Sequence, residues 1–146
     1  MSRPRIGALV RIAWQKLQEG HAEWLESSGY DDIQLAHSAA IQPLYDRPAG
    51  ARLTQLARAS RVTKQSMSAL VDHLEARGYV ERLPDPDDAR ASLVRLTARG
   101  RAFAREIRAF GKDVEAEWAE RVGERRVEEL CETLDRLRRS WSEDDA

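Results

Sequence analysis

The chain has 146 residues, of which 42% are hydrophobic and 34% are charged, and its formal net charge is −1 at pH 7. This length suits one domain with a modest core, and ordinary hydrophobic content combined with high charge is typical of a helical protein with charged exposed faces. The chain lacks a run of about 18 apolar residues and an N-terminal apolar signal block, which excludes a membrane span and predicts a cytoplasmic protein.

The first predicted element is an amphipathic helix over residues 5–27, which Gly29 ends at the C′ position. Its apolar stripe contains Ile6, Val10, Ala13, Leu17 and Trp24 at helical spacing, and it is widened by Leu9 and Trp14. A second helix is predicted over residues 33–45, with Asp31 or Asp32 as its N-cap. A Pro-Ala-Gly turn then separates these two helices from the rest of the chain.

The stretch LTQLARASRVTKQSMSALVDHLEARG, residues 53–78, predicts a helix-turn-helix. Thr54 is expected to cap a short helix, and Thr63 is expected to cap a longer one after a tight turn. One face of the longer helix is apolar and contains Met67, Leu70, Val71 and Leu74. Its first exposed turns carry side chains that can reach base edges and phosphates: Thr63, Lys64, Gln65, Ser66 and Ser68. An ordinary helical hairpin would carry mainly Glu and Lys there, so the pattern favours DNA binding.

Two short strands are predicted next, at residues 79–83 and 92–96. A polar loop of prolines, aspartates and arginines joins them, so the segment predicts a winged helix-turn-helix. Helices over residues 98–121 and 124–141 follow, separated by Gly123. The last helix places an apolar seam at Val127, Leu130, Leu134, Leu137 and Trp141. Such a narrow seam is typical of helix pairing, and together with the first helix it predicts a dimer built from the chain ends.

The predicted fold is therefore mainly α with a small β-wing. We expect a single domain over residues 1–146. Within it, a winged helix-turn-helix (50–100) is flanked by N-terminal helices (1–46) and by C-terminal dimerisation helices (101–146). This order of elements assigns the middle of the chain to partner recognition and the two ends to pairing with a second copy.

Charge is distributed unevenly along the chain. Residues 1–50 carry 5 basic and 6 acidic side chains, residues 51–110 carry 12 and 7, and residues 111–146 carry 7 and 12, so the net charges are −1, +5 and −5. A basic module beside acidic helices fits the electrostatic footprint of a nucleic-acid site. Chance variation among charged helical faces explains the same numbers about equally well.

Residues 53–100 resemble the winged helix-turn-helix of the MarR (multiple antibiotic resistance regulator) family of bacterial transcription factors. The matching pattern is an L-T-x-L-A start, a recognition helix ending in L-E-x-x-G, a D-P-x-D-x-R-A wing and an L-T-x-x-G exit. The flanking helices agree with the family in order and length. The chain has Ala89 where the family often has Gly or Arg at the tip of the wing.

The resemblance implies a homodimeric repressor that binds double-stranded DNA. The first helix and the last two helices would interleave with those of a second copy. The two winged modules would then read a pseudo-palindromic operator one DNA turn apart, at about 34–36 Å. Each recognition helix would enter a major groove, and each wing would enter the adjacent minor groove. No cofactor and no enzymatic activity are expected, since neither a nucleophile–base pair nor a metal-ligand spacing appears in the sequence.

Carried over residue by residue, the resemblance places one group of side chains against the DNA groove: Thr63, Lys64, Gln65, Ser66 and Ser68. Gln65 is the best candidate for a base contact, because its amide can pair bidentately with adenine. Lys64 and Thr63 are expected to hold phosphates, and so is Arg61 in the turn. The alternative for each of them is an ordinary solvated surface side chain.

In the wing, Arg90 matches the family arginine that probes the minor groove, where narrow A·T tracts attract guanidinium groups. Asp88 matches the acid that often pairs with an arginine at the base of the wing. Arg82 and Arg95 either pair with the wing aspartates or hold phosphates, and the sequence leaves both roles open. If Asp85 and Asp88 are neutralised by these arginines, the acidic wing need not repel DNA.

Family members often bind a small aromatic or phenolic ligand between the dimer helices and the DNA-binding module. The candidate lining residues are Trp14, His21, Tyr30 and His37, since an aromatic ring beside a histidine can hold a carboxylate or a phenol. Such residues are more often core or interface aromatics and solvated histidines. Cys131 is expected to be a buried structural thiol rather than an oxidant sensor. The three histidines lie too far apart in sequence to predict a metal site.

A winged helix can also act as a protein-interaction module without specific DNA binding. Such a module would expose apolar or acidic residues on its recognition helix. This chain instead carries Lys64, Gln65 and Ser68 there, and Arg90 at the wing. DNA binding is therefore the favoured function, and the interaction module is the alternative.

Overall fold

The computed structural model describes the backbone of residues 4–144 and the side chains of residues 4–141. The predicted segments 1–46 and 101–146 therefore include a few terminal residues that lie outside the described ones. The helices are α1 (Ile6–Ser27), α2 (Ser38–Ile41), α3 (Leu53–Ala59), α4 (Lys64–Ala76), α5 (Ala98–Val122) and α6 (Glu124–Asp144), and the strands are β1 (Val80–Asp85) and β2 (Asp88–Leu96). The predicted fold class, mainly helical with a two-stranded wing, is confirmed.

The described chain forms two compact units, Met1–Ala104 and Arg105–Ala146, and their boundary falls within α5. The first unit contains the winged helix-turn-helix and a close-packed core. The largest fully buried side chains of this core are Tyr79, Phe103, Ile41, Leu44, Leu56, Met67, Leu74 and Val71. Among the described helices, none combines the length and the apolar composition that a membrane span requires.

The first helix ends where the sequence predicts. Gly29 has a φ of +80°, and glycine adopts this left-handed conformation without steric cost. Most of the apolar stripe of α1 nevertheless lies on the surface of the single chain, since Ile6 is 75% exposed and Trp14 is 53% exposed. Only His21 and Leu25 of this helix are buried.

The predicted continuous helix over residues 33–45 is wrong. The chain instead forms a 3-10 turn (Leu35–His37), the short helix α2 and a second 3-10 turn (Gln42–Leu44). Pro43 explains the break, because it has no N–H to donate to the carbonyl of Ala39. That carbonyl accepts the hydroxyl of Ser60 at 2.5 Å instead.

Asp32 does not cap a helix as predicted. Its carboxylate accepts the Tyr79 hydroxyl at 2.7 Å and an Arg99 N–H at 3.1 Å. Burial alone would raise the pKa of the Asp32 carboxyl, but the hydrogen bonds from Tyr79 and Arg99 outweigh burial and hold this pKa below its usual range. The guanidinium of Arg99 also lies 4.2 Å from the centre of the Tyr79 ring. These contacts fasten the loop before α2 to the base of the wing.

The two helices of the helix-turn-helix begin differently. Helix α3 starts at Leu53, one residue before the predicted cap Thr54, and Gln55 Oε1 accepts the Arg52 N–H at 2.9 Å. The cause is the pairing of Ala51 with Val94, whose two backbone hydrogen bonds hold the preceding chain extended. For α4 the predicted cap is confirmed, since Thr63 Oγ1 accepts the Ser66 N–H at 3.0 Å.

The wing is a continuous antiparallel hairpin rather than two short strands joined by a long polar loop. The strands pair from Val80 opposite Leu96 to Asp85 opposite Asp88, with an irregularity after Pro84. Aspartate side chains build the tip, because Asp85 Oδ1 accepts the Asp87 N–H at 2.9 Å and Asp88 Oδ1 accepts the Arg90 N–H at 3.0 Å. These side-chain bonds hold together a hairpin whose tip has low strand propensity.

The second unit carries the apolar seam of α6. Leu134 is 51% exposed, and Leu130, Leu137 and Trp141 are also exposed, whereas Val127 is buried. The predicted burial of Cys131 is wrong, because this residue is exposed beside a seam that the single chain leaves uncovered. The thiol pKa is raised by partial desolvation and by the Glu115 carboxylate, which lowers its thiolate fraction.

Candidate nucleic-acid interface

Helix α4 separates a buried apolar face from an exposed polar start. Met67, Val71 and Leu74 are completely buried and pack the helix against the core of the first unit. The predicted groove-facing residues of its first turns are exposed, apart from the half-buried Ser68: Thr63, Lys64, Gln65, Ser66 and Ser68. Helix α4 therefore exposes hydrogen-bonding side chains at its start, while its opposite face is packed into the core.

The turn before α4 contains the one described non-glycine residue with a positive φ, Arg61 at +53°. A side chain in this left-handed region costs roughly 1–2 kcal/mol relative to the usual conformations. Strain of this kind persists where the surrounding structure fixes it, and it is common at functional sites. Arg61 is exposed and lies two positions before Thr63, the N-cap of α4.

Arg82 braces the wing against α4. Its Nη2 lies 2.7 Å from Asp72 Oδ1 and its Nη1 lies 2.5 Å from Glu75 Oε1, and both acids belong to α4. Of the two roles left open for Arg82, the structure therefore contradicts pairing with a wing aspartate. The guanidinium fork matches two acids one helical turn apart, so it fixes the strand and the helix relative to each other.

Asp85 pairs with a residue that the sequence did not suggest. Arg52 Nε lies 2.6 Å from Asp85 Oδ2, and the Asp85 side chain is almost completely buried. The Asp87 N–H and then the Arg52 guanidinium hold the pKa of the Asp85 carboxyl below its usual range, against the effect of burial. The tip of the wing is thereby tied to the start of α3. The two residues are 33 positions apart, and no motif spacing connects them.

The remaining wing residues have distinct surroundings. Arg95 Nε lies 2.7 Å from Glu81 Oε1 across the hairpin, which likewise contradicts pairing with a wing aspartate, one of the two roles left open for it. Asp88 accepts a backbone N–H in the tip rather than an arginine side chain. Among the described wing arginines, Arg90 is exposed and holds no carboxylate. It is therefore the wing arginine whose charge projects toward solvent.

The four predicted ligand residues do not surround one cavity. Trp14 lines one cleft and Tyr30 borders another. Tyr30 also packs into an aromatic cluster with Trp24 and Phe103. The two histidines are buried elsewhere, His21 near Trp24 and His37 stacked on His73. The sequence placed all four in the first two helices and their junction, but the fold does not bring their side chains around one cavity.

The cleft beside Trp14 has a volume of about 620 Å³, which lies within the range of small-molecule sites. Gln18 of α1, Ser38, Gln42 and Arg47 supply polar groups to its lining, and Ser60 closes it at the end of α3. The Ser38 hydroxyl is buried without a hydrogen-bond partner. A polar atom left unsatisfied in the wall of a cleft is available to an incoming ligand.

A recognition helix held on a buried apolar face, a strained turn before it and a two-stranded wing braced to it define a winged helix-turn-helix protein. Residues 31–91 match the sequence profile of the MarR family. The fold of nearly the whole chain is also that of proteins in this family. The chain therefore resembles the MarR family both in the sequence of residues 31–91 and in its fold.

Three solved structures document this likeness. The apo form of MarR from E. coli is 26% identical, with a TM-score of 0.74 over 93% of this chain and 98% of that one. A probable transcriptional regulator from Pseudomonas aeruginosa is also 26% identical, with a TM-score of 0.73 over 91% and 96% of the two chains. FabT from Streptococcus pneumoniae, solved in complex with DNA, has the same fold at 21% identity, with a TM-score of 0.80 over 95% and 96%.

Proposed function

We propose that the protein is a cytoplasmic, sequence-specific DNA-binding transcriptional regulator that acts as a homodimeric repressor. The observation that carries the proposal is the exposed polar start of α4 together with the exposed Arg90 of the wing. Two structurally similar proteins, FabT and the S. aureus protein MepR, were solved in complexes with DNA, which supports the same partner for this fold.

The proposed contacts divide between bases and backbone. Gln65 reads a base in the major groove, because its amide can donate to and accept from adenine at the same time. Lys64, Arg61 and Thr63 hold phosphates together with the first backbone N–H groups of α4. Ser66 and Ser68 line the same groove. Arg90 enters the minor groove. Arg82 and Arg95 are absent from this set, since their guanidinium groups hold carboxylates within the chain.

The exposed apolar residues of the terminal helices support the dimer. Most of the α1 stripe and most of the α6 seam are uncovered in a single chain, and exposed apolar surface of this extent is typical of an interface. A two-fold dimer presents two recognition helices, so the operator is expected to be pseudo-palindromic with half-sites one DNA turn apart.

Small-molecule control fits the cleft beside Trp14 better than the four residues predicted from the sequence. The Trp14 ring offers a stacking surface, the Arg47 guanidinium offers a positive charge, and the Ser38 hydroxyl lacks a partner. A small aromatic acid satisfies all three. Ser60 belongs to the same lining and immediately precedes the strained turn. A ligand there releases DNA if it binds the free form of this turn more tightly than the DNA-bound form.

Selection of binding sites from a random-sequence duplex library tests the proposed function, with DNA from upstream of the chain's own gene as a second probe. The protein is expected to enrich one pseudo-palindrome and to bind it as two chains per duplex. Failure to enrich any sequence would contradict the proposal and favour the protein-interaction module.

Gln65→Ala is expected to relax the preference at one or two positions in each half-site, at a cost of about 1–3 kcal/mol for each site. The reason is that alanine cannot form the bidentate contact with adenine. The same selection repeated with the variant measures the change. Gln15→Ala, which removes an exposed glutamine from α1, is the matched control. An unchanged preferred site would remove Gln65 from base reading.

Arg61→Gly is expected to leave the free energy of unfolding unchanged or to raise it by about 1 kcal/mol, because relief of the left-handed strain offsets the chain entropy of glycine. Operator affinity should fall at the same time, because a phosphate contact is lost. Arg61→Lys keeps both the strain and the charge, and should retain most of the affinity. Chemical denaturation and DNA titration separate the two effects, and a glycine variant with full affinity would exclude the phosphate contact.

A further inference from the structure

A stacked pair of histidines connects the segment before α2 to the recognition helix. His37 lies in the 3-10 turn Leu35–His37, and His73 lies near the end of α4. Their ring centroids are 3.8 Å apart and the ring planes differ by 13°. His37 is buried, and His73 is half-buried. Neither residue belongs to the proposed DNA contacts or to the lining of the cleft.

The hydrogen bonds of the pair fix where the protons are. The backbone N–H of Gln34 donates to His37 Nδ1 at 2.8 Å, so this nitrogen carries no proton and the His37 ring is neutral. His73 Nε2 lies 2.8 Å from the carbonyl oxygen of Asp32, and a carbonyl can only accept, so this nitrogen is the donor. The two rings thereby fasten the loop before α2 to the last turn of α4.

We propose that His37 is a positioning residue for the recognition helix and that it acts through His73. Neutral His37 keeps the Gln34 contact and supports the His73 ring, which holds the end of α4 against the loop at Asp32. A proton on Nδ1 of His37 would face the Gln34 N–H, break this contact and loosen the support of α4. Acidification should therefore weaken the seating of the recognition helix. The consequence for DNA rests on the proposed function.

Charged and titratable groups face His37 from two elements. Burial, followed by Coulomb repulsion from His73 and Arg77 of α4, lowers the pKa of His37. A hydrogen bond with the Gln34 backbone and the Asp32 carboxylate oppose this only in part. The folded chain therefore binds the proton less readily than the unfolded chain does. The stabilisation is complete above the ordinary histidine pKa of about 6.5, and it is lost as the pH falls from there through the folded value. His21, a buried histidine of α1, also has a pKa lowered by burial.

The test compares non-titrating variants that keep each hydrogen bond. In His37→Asn the amide oxygen can replace Nδ1 as the acceptor, and in His73→Gln the amide nitrogen can replace Nε2 as the donor. Thermal unfolding is measured without DNA at about pH 7.5 and about pH 5.5, on either side of the ordinary histidine pKa. The wild type is expected to lose melting temperature on acidification, and the loss should be much smaller in His37→Asn. The control His21→Asn retains His37, so the loss of melting temperature that His37 causes on acidification should remain.

Binding to the selected duplex is measured at the same two pH values and at constant salt. The wild type is expected to lose about threefold to tenfold in affinity at the lower pH, while His37→Asn should change by less than about twofold. A loss of affinity at the lower pH is informative, because the positive charge that protonation adds would by itself tighten DNA binding. An equal response of the wild type and both variants would overturn the proposal. If no duplex is bound specifically at either pH, the proposed function fails, and the thermal comparison then supports or overturns the proton-sensitive contact.

Discussion

Arg90→Ala should weaken operator binding by about tenfold to a hundredfold if the proposed dimer forms, because each of its two wings would lose a contact that contributes on the order of 1 kcal/mol. This effect is assigned to Arg90 because, among the described wing arginines, it is exposed and holds no carboxylate. The minor groove is narrowest and most negative in A·T tracts. The loss should therefore be greatest for duplexes with A·T-rich flanks, while the preferred bases in the major groove stay the same.

Two variants isolate the role of Arg90 in an anisotropy titration with operator duplexes of different flanks. Arg90→Lys keeps the charge and should recover only part of the affinity, because an ammonium lacks the planar guanidinium. Asp87→Asn changes an exposed charge in the same hairpin tip, and it should not weaken binding. Full affinity of Arg90→Ala on every flank would remove the wing from the mechanism.

Gly100→Ala should lower the free energy of unfolding by about 3 kcal/mol or more, as expected when an atom is forced into a filled site. A Cβ at this position would lie 2.0 Å from the carbonyl oxygen of Tyr79 and 3.2 Å from Leu96 Cδ2. The Tyr79 carbonyl cannot easily move, because it accepts the Thr97 N–H at 3.0 Å. Gly100 lies in the first turn of α5, next to Tyr79 before β1 and to Leu96 at the end of β2. The added methyl group should therefore push the wing and α5 apart.

Gly111→Ala is the matched control for this prediction, since Gly111 lies in the same helix and a Cβ there would meet no atom within 4 Å. That substitution should raise the free energy of unfolding by about 0.5–1 kcal/mol, because alanine is the better helix former. Urea denaturation of both variants measures the difference. Equal effects of the two substitutions would contradict the close packing of Gly100 against the wing.

Features set by short-range chemistry were predictable from the sequence. The Thr63 cap, the buried stripe of α4 and the end of α1 at Gly29 follow from hydrogen bonding and periodicity within a few residues, and the structure has all of them. The exposed polar residues at the start of α4 were also predictable, because the opposite face is so clearly apolar. The same local logic failed at residues 33–45, where one proline interrupts an otherwise helical pattern.

The ion pairs that hold the wing to α3 and α4 could not be predicted, because they join residues that no spacing rule connects. The sequence offered Arg82 and Arg95 as partners for the wing aspartates, but the fold brings Arg52 to Asp85 and brings two acids of α4 to Arg82. The hairpin itself was underestimated, since its tip is rich in Asp and Pro. The stack of His37 on His73 likewise depends on the tertiary fold and leaves no trace in the sequence.

We propose that the exposed start of α4 and the wing bind duplex DNA in a sequence-specific, charge-dependent way. The most direct measurement is the affinity of the full chain for its selected pseudo-palindrome and for a scrambled duplex over a range of salt concentrations. We expect the selected duplex to bind at least about a thousandfold more tightly, and the logarithm of the affinity for each duplex to fall linearly with the logarithm of the salt concentration. Equal affinity for the two duplexes, or binding that does not respond to salt, would contradict this proposal.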